Sequence, residues 1–178
     1  EVFVAKDREA LIEQLRDFAE SNTYESKKKF DTKEKIKTVF VFPGQGAQWF
    51  GMGKALMQNE PVYKSTLEEC NTVFKKYVNW DLLEEISKRE QSSRLSEIDI
   101  VQPVLVAVEI ALASLWMSKG IFPDAVIGHS MGEVAAAYVA GNISLDEAAK
   151  IIITRSSLMK QLSGKGAMGA TDLTEEEA

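Results

Sequence analysis

The feature of this sequence that most constrains its fold is a serine between glycines, placed between a predicted strand and a predicted helix. Residues 128–132 read Gly-His-Ser-Met-Gly and fit the G-x-S-x-G pattern, in which a serine lies on a sharp strand-to-helix turn. Residues 124–128, Asp-Ala-Val-Ile-Gly, predict the strand, and 131–140 predict the helix. Glycines let the two elements close around a strained serine, so Ser130 is a candidate nucleophile with the Met131 N–H as one oxyanion donor. The alternative is an ordinary glycine-rich turn.

A second strand and a glycine-containing loop occur earlier in the chain. The β-branched and aromatic residues 38–42 predict a strand buried on both faces, as in a parallel sheet. The loop at 42–48, Phe-Pro-Gly-Gln-Gly-Ala-Gln, does not match a phosphate-binding glycine pattern. Loops after neighbouring parallel strands converge at one edge of a sheet, so we expect this loop to face Ser130 and the Gln45 N–H to be the second oxyanion donor. The alternative is a glycine-rich strand-to-helix connection.

The other segments predict helices joined by polar connections, and together they indicate the fold class. In chain order the predictions are a strand at 1–5, an amphipathic helix at 8–18, a polar connection at 20–37, two or three helices within 51–88, a helix at 98–120 and a helix at 144–162. Pro103 is placed in the first turn of the helix at 98–120, whose residues are apolar almost all round. Ser144 and Glu147 form a capping-box pattern. The alternation of strands and helices predicts an α/β fold with a mostly parallel sheet.

Composition and charge exclude several kinds of function. The chain has 178 residues, a formal net charge of −6 and 45% hydrophobic residues, so it carries no basic field for a nucleic acid or an anionic membrane. Cys70 is the only cysteine and is predicted to be a buried apolar residue, which leaves no multi-cysteine metal site. The apolar stretch 104–117 contains Glu109 and Ser114 and is predicted to be too short to cross a bilayer. We therefore expect a soluble, cytoplasmic protein that binds no metal, nucleic acid or membrane.

One cation lies among apolar residues in the last predicted helix. Helical spacing places Arg155 in the middle of an apolar face. The other members of that face are Ala148, Ile151, Ile152, Leu158, Met159 and Leu162. A guanidinium taken out of water without a partner is costly, so an anionic group is expected beside it. The partner is either a structural carboxylate, such as Glu109 or Glu133, or a carboxylate of a substrate, and spacing alone does not decide between them.

His129 is the only histidine of the sequence, and it directly precedes the candidate nucleophile. Adjacent residues in a tight turn point apart, so His129 is predicted to have a structural or secondary role rather than to be the base for Ser130. A serine hydroxyl without an adjacent base is a weak nucleophile. The sequence therefore contains a candidate nucleophile and no histidine placed to activate it.

Three separated segments, taken together, resemble a known family. They are Phe-Pro-Gly-Gln-Gly-Ala-Gln at 42–48, the pair Gln102 and Pro103 in a predicted buried helix, and Gly-His-Ser-Met-Gly-Glu at 128–133. From about residue 37 to residue 178 the chain resembles the acyltransferase domains of polyketide and fatty acid synthases and the related stand-alone malonyl transferases. This resemblance implies a large α/β-hydrolase-like subdomain with a parallel sheet, interrupted by a small ferredoxin-like subdomain.

The resemblance also implies a reaction, in which a serine takes a malonyl-type group from acyl-CoA and passes it to the phosphopantetheine thiol of an acyl carrier protein. No bound cofactor is implied, because acyl-CoA is a substrate and phosphopantetheine belongs to the partner. The implied site residues are Ser130 as nucleophile, Gln45 and Met131 as backbone oxyanion donors and Arg155 as the ligand of the substrate carboxylate, with Gln102 and His129 as further pocket candidates. Met131 is apolar where methylmalonyl-selective members often have glutamine, which favours malonyl.

The resemblance divides the chain into three parts. Residues 1–36 resemble a linker between a ketosynthase and an acyltransferase, 37–163 the N-terminal part of the large subdomain, and 164–178 the start of the small subdomain. In such domains the catalytic histidine lies well downstream of the serine, so we expect this chain to be a fragment that lacks it and turns over slowly or not at all. The expected partners are an acyl carrier protein, a ketosynthase and the other domains of a multidomain synthase.

Two other functions are compatible with the serine motif. One is an esterase or other hydrolase that shares G-x-S-x-G, and the other is a catalytically inert fragment. The loop at 42–48 and Arg155 count against an esterase, because a lipase acyl pocket has no use for a buried cation.

Overall fold

The computed structural model describes residues 4–20, 37–166 and 174, and the chain divides into two units, Glu1–Ile36 and Lys37–Ala178. In the first unit, helix α1 comprises Arg8–Glu20, and the Asp7 carboxylate accepts a hydrogen bond from the Ala10 N–H at 2.8 Å. The helix predicted at 8–18 is therefore confirmed. The strand predicted at 1–5 is wrong for residues 4 and 5, which are not in a strand, and its first three residues lie outside the described part.

The second unit alternates strands and helices as the sequence predicts. Its elements are β1 (Val39–Phe42), α2 (Lys54–Asn59), α3 (Pro61–Phe74), α4 (Leu82–Ser87), a short 3-10 helix (Glu90–Ser92), α5 (Ile98–Ser118), β2 (Ala125–Gly128), α6 (Gly132–Val139) and α7 (Leu145–Leu162). Three helices lie within 51–88, at the upper end of the predicted number. The capping box at the start of α7 is confirmed, since the Ser144 N–H donates to the Glu147 carboxylate at 2.7 Å and the Ser144 hydroxyl accepts from the Glu147 N–H at 3.3 Å.

Strands β1 and β2 pair in parallel, from Val39 opposite Ala125 to Phe42 opposite Gly128. Phe42 is buried at 4% exposure, whereas Val41 is 66% and Ile127 is 57% exposed. The prediction of a strand buried on both faces is therefore wrong, because within the described residues only one face of this sheet is covered, by α6 among other elements. Since both strands end at the same level, the loop after β1 and the turn after β2 emerge side by side.

The core lies around α5, which packs against α3, α4, α6 and α7. Pro103 lies inside α5 and not in its first turn, because the helix begins at Ile98. The proline has no N–H to offer the carbonyl four residues earlier, which therefore lacks that helical bond. Cys70 of α3 is fully buried, and burial raises the pKa of its thiol to about 12, in keeping with the predicted core role.

Helix α5 begins at Ile98, as predicted, and ends at Ser118, but it corrects the prediction that its apolar part is too short to cross a bilayer. It has 21 residues, and the mean hydropathy of its most apolar window is 1.9, which by length and composition alone is enough to cross a membrane. The apolar stretch 104–117 is shorter than the helix, which extends beyond it at the N-terminal end. Since 72% of its most apolar window is buried inside the protein, packing against neighbouring helices accounts for its apolar character.

Candidate active site

Ser130 lies on a strained turn between β2 and α6. Among the residues that the structure describes, it is the one non-glycine residue with a positive φ, of 55°. A Cβ at Gly128 would lie 2.5 Å from the Glu133 nitrogen, and a Cβ at Gly132 would lie 2.5 Å from the Pro43 oxygen. Both glycines are therefore needed for the close approach of strand, helix and loop, as predicted, and the serine side chain is left exposed.

The loop after β1 lies directly against this turn. The His129 N–H donates to the Phe42 carbonyl at 2.9 Å, and a Cβ at Gly44 would lie 2.8 Å from Nδ1 of His129. Within the loop, the Gly46 N–H donates to Oε1 of Gln48 at 2.8 Å. The predicted convergence of the two segments is thus confirmed, and the imidazole of His129 faces the loop backbone.

Two backbone donors in these segments carry no hydrogen bond to any described residue. They are the N–H groups of Gln45 in the loop and Met131 at the start of α6. The Met131 side chain is fully buried, which fixes the residue in place. A free N–H at a helix N-terminus points outward from the helix and is available to a negatively charged atom. Both predicted oxyanion donors are therefore free of hydrogen bonds to the described residues.

Side chains from four parts of the chain form one hydrogen-bonded series, which we call the polar chain and define as Ser130, Arg155, Gln102 and Gln45. Nη2 of Arg155 donates to Oγ of Ser130 at 3.0 Å, and Nη1 donates to Oε1 of Gln102 at 2.6 Å. Nε2 of Gln102 then donates to Oε1 of Gln45 at 3.0 Å. The structure brings these four predicted site residues together, although they come from α5, α7 and two different loops.

Gln102 is the centre of the polar chain. It is 2% exposed, and its amide nitrogen also lies 3.6 Å from Sδ of Met159. The sequence indicated Gln102 only by resemblance, and it placed Met159 on the helix face of Arg155 without assigning it a role at the site. The available signal was position, since Met159 follows Arg155 by one helical turn and so lies on the same face of α7.

Arg155 lies beside Ser130 without a carboxylate partner. No Asp or Glu oxygen of the described residues lies within 4.0 Å of its guanidinium nitrogens, and both structural partners considered from the sequence are therefore ruled out within that part of the chain. One of them, Glu109, is buried elsewhere with both oxygens unpartnered. The positive charge of the guanidinium is therefore not neutralised by the described protein groups.

The predicted apolar face around Arg155 needs a correction. The buried residues of α7 are Leu145, Ala148, Ala149, Ile152 and Ser156. Ile151, Leu158 and Leu162 are exposed, and they line an open groove together with Arg155. Arg155 is thus half-buried at the border between a buried and an exposed apolar stripe, because the helix is covered on one side only within the described residues.

His129 is not hydrogen-bonded to Ser130. Within the described ranges, the side-chain partner of the serine hydroxyl is Arg155, which is a cation and cannot accept a proton. The described part of the chain therefore holds a nucleophile candidate, two oxyanion donors and a cation, but no base on the hydroxyl.

A family model described as the acyl transferase domain matches residues 39–178, and these include every residue of the polar chain. The chain belongs to the acyl transferase domain family. This membership agrees with the resemblance found in the sequence, and it accounts for an α/β fold with a parallel sheet. Acyl transferase domains of polyketide synthases and malonyl-CoA transacylases are both among its relatives.

Three relatives show how far the similarity extends. Polyketide synthase GfsB from Streptomyces halstedii is 40% identical over 99% of this chain, which spans 3% of the length of that protein. The acyltransferase domain from the second module of the salinomycin polyketide synthase superposes with a TM-score of 0.74 at 35% identity, over 90% of this chain and 38% of that one. The malonyl-CoA:ACP transacylase of Synechocystis sp. PCC 6803 superposes with a TM-score of 0.63 at 35% identity, over 72% of this chain and 42% of that one.

Proposed function

We propose that this acyl transferase domain moves a malonyl-type group from coenzyme A to the phosphopantetheine thiol of an acyl carrier protein, through an ester on Ser130. The observation that carries the proposal is the Arg155 guanidinium, which is 3.0 Å from the Ser130 hydroxyl and lacks a carboxylate partner among the described residues. A planar guanidinium binds a carboxylate through two parallel hydrogen bonds. Malonyl carries a free carboxylate close to its reacting carbonyl, so one substrate can engage both residues.

The same cation gives a reason for selectivity. An acetyl group has no carboxylate, so it would leave the guanidinium half-buried and unpaired when coenzyme A covers the site. Sites built to hydrogen-bond a substrate group reject analogues that lack it, because the protein donors then lose their partner. We therefore propose that Arg155 selects malonyl-type donors, and that the smaller choice between malonyl and methylmalonyl depends on other groups.

The free N–H groups of Gln45 and Met131 support the acyl-transfer step. Attack on a thioester produces a tetrahedral intermediate whose oxygen carries a negative charge. Two free backbone donors, one from the loop after β1 and one from the start of α6, are suited to this oxyanion. Removing one such donor from a comparable site lowers the rate by about 10² to 10³.

The proposed reaction has two half-reactions. Oγ of Ser130 attacks the thioester carbon, so that an O–C bond forms and the C–S bond breaks, while the hydroxyl proton passes through a base to the departing CoA sulfur. The carrier thiol then attacks the ester carbon, so that a new C–S bond forms and the bond from Oγ to the acyl carbon breaks, while the thiol proton passes through the base to Oγ. The family resemblance implies a histidine as this base, and His129 is not hydrogen-bonded to the hydroxyl.

We also propose the kind of protein in which this domain works. The chain forms part of a cytoplasmic multidomain synthase, with residues 1–36 as the linker from a ketosynthase, 37–163 in a hydrolase-like subdomain and 164–178 opening a ferredoxin-like one. Several of its relatives are polyketide synthases, which supports this setting. The acyl carrier protein is the partner that accepts the acyl group, and no bound cofactor takes part.

The test is to incubate the full-length protein that carries this segment with malonyl-CoA and to locate the adduct by mass spectrometry. We expect a malonyl ester on Ser130, and none in Ser130→Ala. The exposed Ser157→Ala on α7 is a matched control that should load like the wild type. Hydrolysis of neutral esters without a malonyl adduct would instead identify an esterase, and neither product would identify an inert domain.

A further inference from the structure

The Ser130 hydroxyl already accepts a hydrogen bond from a protein group, and its donor is the cation that would bind the substrate. We propose that Arg155 restrains the Ser130 hydroxyl until a carboxylate displaces it, so that the carboxylate of the acyl donor releases the nucleophile that will attack it. This inference rests on the proposed function and adds a control on the serine that binding selectivity alone does not require.

The geometry of the guanidinium supports such an exchange. Its Nη1 is held at 2.6 Å by Oε1 of Gln102, and Gln102 is itself buried and held by Gln45. Nη2 donates instead to the hydroxyl of Ser130, which is an exposed residue. The inner half of the guanidinium is therefore fixed, and the outer half is the one that an entering ligand can reach.

The chemistry of the two acceptors gives the exchange a direction. A carboxylate carries a full negative charge and accepts shorter and stronger bonds from a guanidinium than a neutral hydroxyl does. An entering carboxylate therefore replaces the hydroxyl on Nη2. Before that replacement, one lone pair of Oγ is directed at a cation, which lowers the nucleophilicity of the oxygen and ties its rotation to the guanidinium.

It follows that a carboxylate can displace the Ser130 hydroxyl from Arg155 even when it is not attached to the acyl group. Acetyl and formate together supply the groups of a malonyl unit, with the carboxylate detached. Formate bound at Arg155 should therefore free Ser130 to react with acetyl-CoA. A hydrogen bond to a charged group contributes enough that its release corresponds to a rate gain of about tenfold or more.

The experiment measures acylation of Ser130 by acetyl-CoA in the full-length protein, by time-resolved mass spectrometry, with sodium formate or with sodium chloride of equal ionic strength. In the wild type, formate should accelerate acetylation by about tenfold while chloride does not. In Arg155→Met, acetylation should be faster than in the wild type without formate and should not respond to it. Lys64→Ala removes an exposed lysine of α3 and should respond to formate like the wild type.

An absence of any formate effect in the wild type would overturn the restraint by Arg155. Acetylation slower in Arg155→Met than in the wild type would also overturn it, because the guanidinium would then be activating the hydroxyl. The wild-type comparison needs no variant and so holds even if Arg155→Met fails to fold. Malonyl-CoA is run in parallel: if it does not acylate Ser130, the proposed function fails, whereas malonylation without a formate effect rejects only the restraint.

Discussion

Two regions of the second unit place polar groups beside apolar side chains, and they treat those groups in opposite ways. The polar chain connects Ser130, Arg155, Gln102 and Gln45 through successive hydrogen bonds. Beside β1, a cavity of about 650 Å³ is lined mainly by apolar residues and by Glu109 and Tyr63, whose side-chain oxygens have no partner among the described residues. One region thus satisfies its polar atoms, and the other leaves them unpaired.

The difference in bonding produces a difference in charge. Burial raises the pKa of Glu109 to about 8, so at neutral pH this carboxyl is largely uncharged. A guanidinium cannot lose its proton, so Arg155 stays charged and needs its bonds to Gln102 and Ser130. A titratable group can relieve burial by changing its protonation state, whereas an arginine retains a charge that a ligand can use.

The largest expected effect concerns Glu109, the carboxyl in the cavity beside β1 that has no partner among the described residues. Its pKa is about 8 when folded against 4.5 as the ordinary value, so the folded protein binds an extra proton between these limits, and stability is lost as the pH rises through them. At about 1.4 kcal/mol per pH unit, the free energy of unfolding should fall by about 4 kcal/mol from about pH 5 to about pH 8. Urea titrations of wild type and Glu109→Gln should show this fall only in the wild type.

The matched control for that titration is Glu69→Gln, which changes an exposed carboxyl of α3 and should keep the wild-type pH dependence. An equal pH dependence in the wild type and in Glu109→Gln would mean that Glu109 is paired and charged, and the contrast between the two regions would be lost.

The second effect concerns the backbone turn that holds Ser130 in the polar chain. Gly132→Ala would place a Cβ against the carbonyls of Phe42 and Pro43, where the loop after β1 meets the turn. Overpacking of this kind should lower the free energy of unfolding by about 3 kcal/mol and displace Ser130 from the polar chain. Gly166→Ala meets nothing within 4 Å and should be nearly neutral in the same urea titration. Equal stability of the two variants would show that the turn is not closely packed.

The third effect removes the centre of the polar chain. Gln102→Leu keeps the apolar volume but takes away the acceptor of Nη1, so Arg155 is no longer aimed at Ser130. We expect malonyl loading to slow by about 30-fold, equivalent to about 2 kcal/mol, because the guanidinium is then no longer held where it can bind the malonyl carboxylate. Single-turnover loading measures this, and the exposed Gln161→Leu on α7 is the control. Unchanged loading would make Gln102 a packing residue and not a positioning residue.

The smallest effect concerns the stability of α7 and not the substrate preference of the site. Ser144→Ala removes the cap of α7, the helix that carries Arg155, and should reduce the free energy of unfolding by about 1 kcal/mol. The preference for malonyl over acetyl should not change, because the cap lies at the far end of the helix from the guanidinium. A shift in this preference would show that the position of Arg155 depends on the stability of α7 as a whole.

Local patterns in the sequence predicted the parts of the fold that depend on neighbouring residues. Glycines around Ser130 predicted the strained turn, and Ser144 with Glu147 predicted the start of α7, because both depend on contacts within a few residues. Predictions were wrong where the structure depends on contacts with distant residues. Examples are the exposure of Val41 in a strand predicted to be buried on both faces, and the position of Pro103 inside α5.

The candidate site was predictable in its members but not in its connections. Arg155 was identified because a cation interrupts an apolar helix face. Its bond to Gln102, 53 positions away, and the bond from Gln102 to Gln45, 57 positions away, depend on how α5, α7 and the loop after β1 pack together. No spacing rule within one element can supply that information.

The central claim is that the unneutralised guanidinium beside Ser130 binds the carboxylate of the acyl donor. The most direct measurement is the ratio of the Ser130 loading rates with malonyl-CoA and with acetyl-CoA, compared between the wild type and Arg155→Met. We predict that the ratio favours malonyl in the wild type and falls by about 10² or more in the variant. A ratio that is the same in both proteins would contradict the account.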